Sequence, residues 1–221
     1  MKIRLDLPDP GILEKLNIPV LDKHTKLIYH PLTGILYQGR FRMALSCLAD
    51  KQEKILEAGC GRGLFLPELS RRCSKLYTLD VHPRMDVVAR MLKQNNTGNV
   101  YLNTGSVIEM PYKEKIFDTI VCISVLEHVT DLQKCFSEFF RVLKDSGELI
   151  IGFPAENMLT DFLFKLLKFD AAKFHPSGHR NIFSAAKKLF LQRELRVFPA
   201  SFLRNFALYF VARFVKAGGK D

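Results

Sequence analysis

The stretch ILEAGCGRG at residues 55–63 combines an apolar run, an acid and three alternating glycines. The apolar run predicts a buried strand that ends at Glu57. Glycines let the backbone turn sharply and let a ligand approach where a Cβ would clash. A helix that opens at about Leu64 would add free N–H groups and a partial positive charge at the same place. The stretch therefore predicts a strand, a glycine loop and a helix, with a ligand site in the loop.

Outward from this stretch, short β-type runs alternate with helical stretches. Strands are predicted at 54–57, 75–80, 100–102, 117–123, 148–153, 195–199 and 206–215. Helices are predicted at 38–49, 64–73, 83–95, 132–143 and 159–167, with another that begins at Ser184. This alternation predicts an α/β fold in which helices cover both faces of a parallel sheet.

Composition narrows the class of protein. The 221 residues suit one compact domain, and the 48% hydrophobic content excludes wholesale disorder. The net charge of +10 permits an anionic partner without identifying one. The five cysteines are widely spaced and form no CxxC pair, so we expect reduced thiols. No run reaches the ~20 apolar residues that span a bilayer, and no signal peptide is visible, so we expect a soluble cytoplasmic protein.

The acid before the glycines indicates the ligand. A nicotinamide fingerprint needs a glycine three residues after Gly61, where this chain has Leu64. Glu57 instead suits S-adenosylmethionine (SAM), because it can accept hydrogen bonds from the ammonium group while loop N–H groups hold the carboxylate. Asp80, at the end of the next strand, can accept from both ribose hydroxyls. Either acid alone could be a solvated strand-end residue, but together with the glycines they predict a SAM site.

Three further motifs resemble a known family. They are GSVIEMPY at 105–112, FDTIV followed by SVLEHV at 117–129, and RVLK followed by GELII at 141–151. With the glycine loop they resemble the class I SAM-dependent methyltransferases, and within them the ubiquinone/menaquinone-biosynthesis-like branch called type 11. The resemblance runs from about Ile55 to Pro154, with a weaker tail to Val215. It implies a Rossmann-like three-layer sandwich whose seven-stranded sheet is mostly parallel, with an antiparallel last strand.

The resemblance also implies a domain plan and a cofactor site. Residues 1–50 would be a helical N-terminal lead-in, and residues 51–221 the methyltransferase domain, with a helical lid-like insertion at about 155–181. The cofactor would be SAM, released as S-adenosylhomocysteine. The implied cofactor-binding residues are Glu57, Gly59, Cys60, Gly61, Gly63, Asp80, Val81, Ser106, Val107, Ile123 and Ser124.

Two positions depart from the family pattern. Ser106 stands where the family usually has an acid beside the adenine amino group, which would weaken that contact. The turn at 145–147 reads DSG in place of PGG, and it still predicts a turn.

His128 is the candidate general base, because it follows the fourth strand at the edge where ligands bind in such folds. The alternative interpretation is that Glu127 and His128 only order the loop. Some quinone-pathway O-methyltransferases of this branch hold a divalent metal through an ExxEH pattern. Ser124 stands at the position of the first acid here, so no metal is expected.

The expected acceptor is a small molecule, with a lipid or prenyl-like hydroxyl or carbon favoured over a polar metabolite. The amphipathic run at 159–167 suggests a lid or a peripheral contact with an anionic membrane, and an ordinary core helix is the alternative. RNA or protein acceptors are the first alternative function, although no motif typical of base methylation is present and nucleic acid is disfavoured. A non-catalytic SAM-binding scaffold is the second. The sequence gives no indication of oligomeric state.

Overall fold

The computed structural model describes residues 5, 7–15, 27–31, 33–82, 84–157, 160, 175–199 and 206–216. Seven strands in these ranges form one sheet in the order β3-β2-β1-β4-β5-β7-β6. They are β1 (Gln52–Ala58), β2 (Cys73–Asp80), β3 (Val100–Thr104), β4 (Phe117–Ile123), β5 (Leu143–Pro154), β6 (Phe190–Phe198) and β7 (Tyr209–Lys216). Neighbours from β3 to β5 pair in parallel, and β7 runs antiparallel to both β5 and β6. The predicted fold class is confirmed.

The helices described are α1 (Pro10–Glu14), α2 (Thr33–Cys47), α3 (Leu66–Ser70), α4 (Met85–Gln94), α5 (Leu132–Val142) and α6 (His179–Ala186). A short 3₁₀ turn covers Leu126–His128. The sequence places the start of α3 too early, because Pro67 lies in its first turn and proline is tolerated only there. The sequence also places the start of α6 too late, because the helix begins directly after the extended residue Gly178.

Two apolar clusters pack on opposite faces of the sheet, as the alternation of strand side chains requires. Leu56 belongs to the cluster that contains α5 and α6, whereas Ile55 belongs to the cluster beneath α2, α3 and α4. Phe41 of α2 stacks on Phe65 with ring centroids 4.4 Å apart. Helix α2, which precedes β1 in the chain, is therefore part of the same core as the sheet.

The segment expected to form a lid is described only at its two ends. The helix predicted at 159–167 lies outside the described residues, apart from Thr160. On the entering side, the Asn157 amide donates to the Ala207 carbonyl at 2.6 Å. The Glu156 N–H donates to Nδ1 of His179 on the returning side, at 3.2 Å. The two ends of the segment are thus tied to each other and to the strand region before β7.

The sheet order also locates a crevice. The chain moves outward from β1 to β3 on one side and then crosses to β4 on the other, so the strand order reverses between β1 and β4. Ligands in open α/β sheets bind outside the carboxyl ends of the strands at such a switch point. In the part of the chain that the structure describes, no helix is both long enough and apolar enough to cross a bilayer.

Candidate active site

The glycine loop follows β1 and forms one wall of this crevice. Gly59, Gly61 and Gly63 have φ values of +84°, +51° and +74°, a region that favours glycine. A Cβ on Gly59 would lie 2.1 Å from Cγ2 of Val125, whereas a Cβ on Gly61 would meet no atom within 4 Å. Gly59 is therefore required by packing, while Gly61 leaves open space that a ligand can fill.

Asp80, the last residue of β2, holds the glycine loop in place. Its Oδ2 accepts the Gly61 N–H at 2.7 Å, and its Oδ1 accepts the His82 N–H at 3.2 Å. His82, which the sequence motifs do not identify, adds a second link. Its Nδ1 accepts from the Arg84 N–H at 3.1 Å, so the proton lies on Nε2, which donates to the Gly61 carbonyl at 2.5 Å. The loop and the end of β2 are thus joined by side chains on both sides of Gly61.

Glu57 lies beneath the loop and is almost wholly enclosed, with 4% of the residue exposed. Its Oε2 has no hydrogen-bond partner among the described residues. Burial, and then the nearby charge of Asp80, raise the pKa of this carboxyl well above its usual range. A buried acid in this state is stabilised by any ligand that brings a hydrogen-bond donor or a positive charge to it.

The other predicted cofactor residues lie around the same strand ends. Val81 is 72% exposed, which is unusual for an apolar side chain and leaves a face free for a ligand. Ser106 and Glu109 form an isolated antiparallel β-bridge. Directly before it, the Gly105 N–H donates to the Asp80 carbonyl at 2.9 Å. Val107 and Ile123 are buried, as is Cys60. Burial, followed by the charges of Glu57 and Asp80, raises the thiol pKa of Cys60 well above its usual range, so this cysteine is not activated as a nucleophile.

Ser124 connects the end of β4 to two residues that sequence reasoning missed. Its backbone has a φ of +58°, and its N–H donates to the Gly152 carbonyl at 2.7 Å. Its Oγ accepts from Nη1 of Arg40 at 2.9 Å and lies 2.7 Å from the Tyr209 hydroxyl. Arg40 comes from α2 and Tyr209 from β7, so no local motif could have grouped them.

Arg40 is held in a restricted position. Its guanidinium carbon lies 5.0 Å from the ring centroid of Tyr37 and 5.1 Å from that of Phe41, both distances typical of cation–π contacts. Its Nε atom is buried and has no hydrogen-bond partner among the described residues. The side chain therefore presents a fixed positive charge with one donor still available at the end of β4.

The turn after β4 carries Glu127 and His128. His175, the first described residue after Thr160, lies beside them. Glu127 is 4% exposed, and its Oε2 has no partner among the described residues. Burial raises the pKa of Glu127 to about 7, although its own N–H and the charge of Arg40 act in the opposite direction. Burial, and then the charge of His128, lower the pKa of His175 to about 4.

His128, the residue predicted to be the base, is exposed on this turn, and its ring centroid lies 5.1 Å from that of His175 at an interplanar angle of 67°. Ser177 attaches the returning chain to the same turn. Its Oγ donates to the Val129 carbonyl at 2.6 Å, and its N–H donates to the Glu127 carbonyl at 3.3 Å. These two bonds hold the returning chain, and with it His175, beside the turn that carries His128.

Comparison with known proteins finds similarity in the central part of the chain. Residues 56–151 match a family described as a methyltransferase domain. A ubiquinone biosynthesis O-methyltransferase of Rickettsia akari is 30% identical over 100 residues, which are 45% of this chain and 39% of that protein. An uncharacterized protein of Methanocaldococcus jannaschii is 32% identical over 97 residues, 44% of this chain and 39% of that protein. The match thus spans about two fifths of the length of these curated relatives.

Solved structures extend the likeness to nearly the whole chain. The N-methyltransferase NodS of Bradyrhizobium japonicum, in complex with S-adenosylhomocysteine, aligns with a TM-score of 0.65 at 20% identity, over 94% of this chain and 97% of that one. The [4+2]-cyclase SpnF aligns with a TM-score of 0.64 at 12% identity, over 81% of each chain. At such identities the likeness concerns the fold alone, and these two neighbours carry different reactions on it.

Proposed function

Because residues 56–151 match a family described as a methyltransferase domain, we propose that this chain transfers the methyl group of SAM to a small-molecule acceptor and releases S-adenosylhomocysteine. The observation that carries the proposal is the buried carboxyl group of Glu57, whose Oε2 has no partner among the described residues. Leaving such a group unsatisfied is unfavourable. The ammonium group of SAM would supply both the donor and the positive charge.

The surrounding residues suit the rest of the cofactor. Both Asp80 oxygens already accept one backbone N–H, and each keeps a further lone pair for a ribose hydroxyl. The exposed side chain of Val81 offers an apolar face to the adenine ring. Ser106 can accept a hydrogen bond from the adenine amino group, more weakly than an acid would.

Arg40 is proposed to bind the carboxylate of the methionine moiety. Its guanidinium is fixed at the end of β4 by Ser124 and by two aromatic rings, and its Nε has no partner among the described residues. Glu57 and Arg40 would then recognise the two opposite charges of one amino-acid group. This arrangement would favour SAM over ligands that lack a zwitterionic end.

Methyl transfer itself asks little covalent chemistry of the protein. The acceptor atom forms a bond to the methyl carbon while the carbon–sulfur bond breaks and its electron pair remains on sulfur. Holding acceptor, carbon and sulfur in line can supply much of the acceleration. A hydroxyl acceptor must also lose its proton, and we propose the exposed His128 as the base that receives it.

For the acceptor, we propose the hydroxyl group of a lipid or prenyl-like small molecule as the first class to test. The similarity to proteins described as ubiquinone biosynthesis O-methyltransferases supports an oxygen acceptor, although it covers less than half of this chain. Transient contact with an anionic membrane would suit such a substrate, and the net charge of +10 is compatible with it.

Calorimetric titration with SAM and S-adenosylhomocysteine tests the proposal directly. We expect ~micromolar binding by the wild type and a loss of at least about tenfold in affinity in Asp80→Ala, because one hydrogen bond to a charged group contributes about 1.5–3 kcal/mol. Asp145→Ala is the matched control, since Asp145 lies at the opposite end of the sheet, in an exposed ion pair with Lys115. Absence of binding by the wild type would overturn the proposal.

A further inference from the structure

Tyr209 brings a phenol hydroxyl to the carboxyl edge of the sheet. Because β7 runs antiparallel to β5, its first residue lies where β5 ends, and Tyr209 pairs with Pro154 there. The phenol lies against Gly152, where a Cβ would be 3.1 Å from the Tyr209 hydroxyl oxygen. The Gly152 carbonyl in turn accepts the Ser124 N–H at 2.7 Å. One glycine therefore leaves room for the phenol and holds the residue that the phenol contacts.

The direction of the hydrogen bond between Tyr209 and Ser124 follows from the number of protons. A guanidinium can only donate, so Oγ of Ser124 accepts from Nη1 of Arg40 at 2.9 Å. The two hydroxyl oxygens are 2.7 Å apart, and this contact uses one of their two protons.

Donation by Ser124 would leave the other proton on Tyr209, which is 5% exposed and has no further acceptor among the described residues. Leaving a buried donor without an acceptor is unfavourable. Burial, followed by the charge of Glu127, also raises the pKa of the Tyr209 phenol, so the hydroxyl keeps a proton to donate. Tyr209 is therefore the donor and Ser124 the acceptor.

This direction leaves the Ser124 proton available to a ligand. Ser124 directly follows β4 at the edge of the crevice and is only partly buried. Both lone pairs of its Oγ are occupied by donors from Arg40 and Tyr209, so toward a ligand the hydroxyl can only donate. Two donors on the same oxygen also polarise its O–H bond and strengthen the bond that it donates. Arg40 and Ser124 thus place a positive charge beside a hydroxyl donor, a pair that suits a carboxylate.

We propose that Tyr209 is a positioning residue for the carboxylate of the methionine moiety of SAM. By donating to Ser124, it fixes Oγ beside Arg40 and leaves the Ser124 proton for the carboxylate. This inference rests on the proposed function, because it requires the carboxylate to lie at Arg40. Tyr209 does not touch the cofactor and acts only through Ser124. The antiparallel last strand, which supplies none of the cofactor-binding residues predicted from the sequence, thereby contributes to cofactor binding.

Two ligands distinguish this role from a purely structural one. S-adenosylhomocysteine and 5′-methylthioadenosine share the adenosine and the thioether sulfur, but methylthioadenosine lacks the amino-acid end. Calorimetry measures the binding of each to full-length wild type and to Tyr209→Phe. We expect Tyr209→Phe to bind S-adenosylhomocysteine about three- to tenfold more weakly, because Ser124 loses one of the two donors that fix its hydroxyl. The same variant should bind methylthioadenosine like the wild type.

Ser124→Ala tests whether Tyr209 acts through the serine hydroxyl. This variant should lose about tenfold or more in affinity for S-adenosylhomocysteine, since it removes a hydrogen bond to a charged group, and it should spare methylthioadenosine. In the Ser124→Ala background, Tyr209→Phe should have no further effect on S-adenosylhomocysteine binding. Such non-additivity is expected of residues in one hydrogen-bond network.

Tyr112→Phe is the matched control, because it also removes one tyrosine hydrogen bond, to the Thr78 carbonyl at 3.0 Å. Tyr112 packs on Phe117, at the opposite end of β4 from Ser124, with ring centroids 5.0 Å apart. We expect it to bind both ligands like the wild type. Thermal unfolding shows whether each variant is folded.

Three results would overturn the role of Tyr209 while leaving the proposed function intact. They are equal losses for both ligands in Tyr209→Phe, unchanged affinity for S-adenosylhomocysteine in that variant, and a loss that persists in full in the Ser124→Ala background. Equal losses for both ligands in Ser124→Ala would contradict the contact between its hydroxyl and the carboxylate. Wild-type protein that binds neither ligand would overturn the proposed function, and this inference with it.

Discussion

The two halves of the crevice are built in different ways. The half around the glycine loop takes its residues from the ends of two adjacent parallel strands, β1 and β2, and Asp80 and His82 close it with short hydrogen bonds. The half at the end of β4 draws Arg40 from α2, His175 from the chain before α6, and Tyr209 from β7. Each half nevertheless encloses one carboxylate oxygen that lacks a partner among the described residues.

This difference separates what is fixed by the fold from what can vary between proteins that share it. A ligand site built from the ends of adjacent strands is present wherever the sheet forms, because the backbone contacts that form the sheet also bring the site residues together. A site assembled from distant segments can be altered by changes in any one of them. The first half therefore suits a cofactor that many proteins share, and the second suits an acceptor that differs among them.

The largest effect is expected from Gly59→Ala, which disturbs the backbone of the glycine loop in the first half of the crevice. A Cβ there would lie 2.1 Å from Cγ2 of Val125, at a φ of +84°. Overpacking and left-handed strain together should lower the free energy of unfolding by about 3–5 kcal/mol. Urea denaturation measures this loss. Gly98→Ala is the control, since a Cβ at Gly98 meets nothing within 4 Å, and equal stability of the two variants would contradict the packing account.

The next largest effect is expected from Glu57→Gln, and this effect depends on pH. Removal of the charge should weaken SAM binding by about 10–100-fold, as expected for loss of a charged hydrogen bond. The raised pKa of Glu57 means that the folded protein without ligand keeps this proton longer than the unfolded chain. Its contribution to stability therefore falls as pH rises from the unfolded pKa of about 4.3 toward the folded one.

Calorimetry and thermal unfolding across that pH range test both statements. In the wild type, SAM affinity should increase with pH as Glu57 ionises, because the ammonium group favours the carboxylate form. In Glu57→Gln this increase should be absent, and the fall in ligand-free stability should be smaller. A wild-type affinity that does not change with pH would exclude the proposed contact with the ammonium group.

Arg40→Met tests whether the second half also contributes to the cofactor. Methionine keeps much of the apolar contact with Tyr37 and Phe41 but removes the bond to Ser124 and the positive charge. We expect affinity for S-adenosylhomocysteine to fall by about tenfold. Arg42→Met, on the same helix, is the matched control, because Arg42 bonds to Gln38 within α2. If both variants bind like the wild type, Arg40 serves the acceptor half alone.

The smallest effect is expected from His82→Ala. The variant loses the bond from Nε2 to the Gly61 carbonyl and the bond that Nδ1 accepts from Arg84. Because Asp80 still holds the Gly61 N–H, the loop should keep its path and the free energy of unfolding should fall by only about 1 kcal/mol. Hydrogen exchange at Gly61 is the sensitive measurement, and unchanged protection there would show that His82 does not brace the loop.

The same division explains how far the sequence can predict the molecule. The strands and their order follow from apolar runs and from motifs whose residues lie close together along the chain. Glu57, Asp80 and the glycines are therefore recognisable from the sequence alone. Arg40 is not, because it reaches the site through tertiary packing and has no spacing that marks it. The start of α3 depends on one local residue, Pro67, which the apolar pattern around it does not take into account.

The hydrogen bonds at the two ends of the 155–181 segment have an evolutionary consequence. Asn157 is fastened to Ala207, Glu156 to His179, and Ser177 to the turn that carries Glu127. All three attachments lie outside the intervening residues, so replacing the stretch between them would break none of these bonds. Transplanting residues 158–174 from a relative, with these anchors retained, should exchange acceptor preference while leaving the affinity for SAM untouched. Recombination in nature could use the same boundaries to diversify substrates without rebuilding the cofactor half.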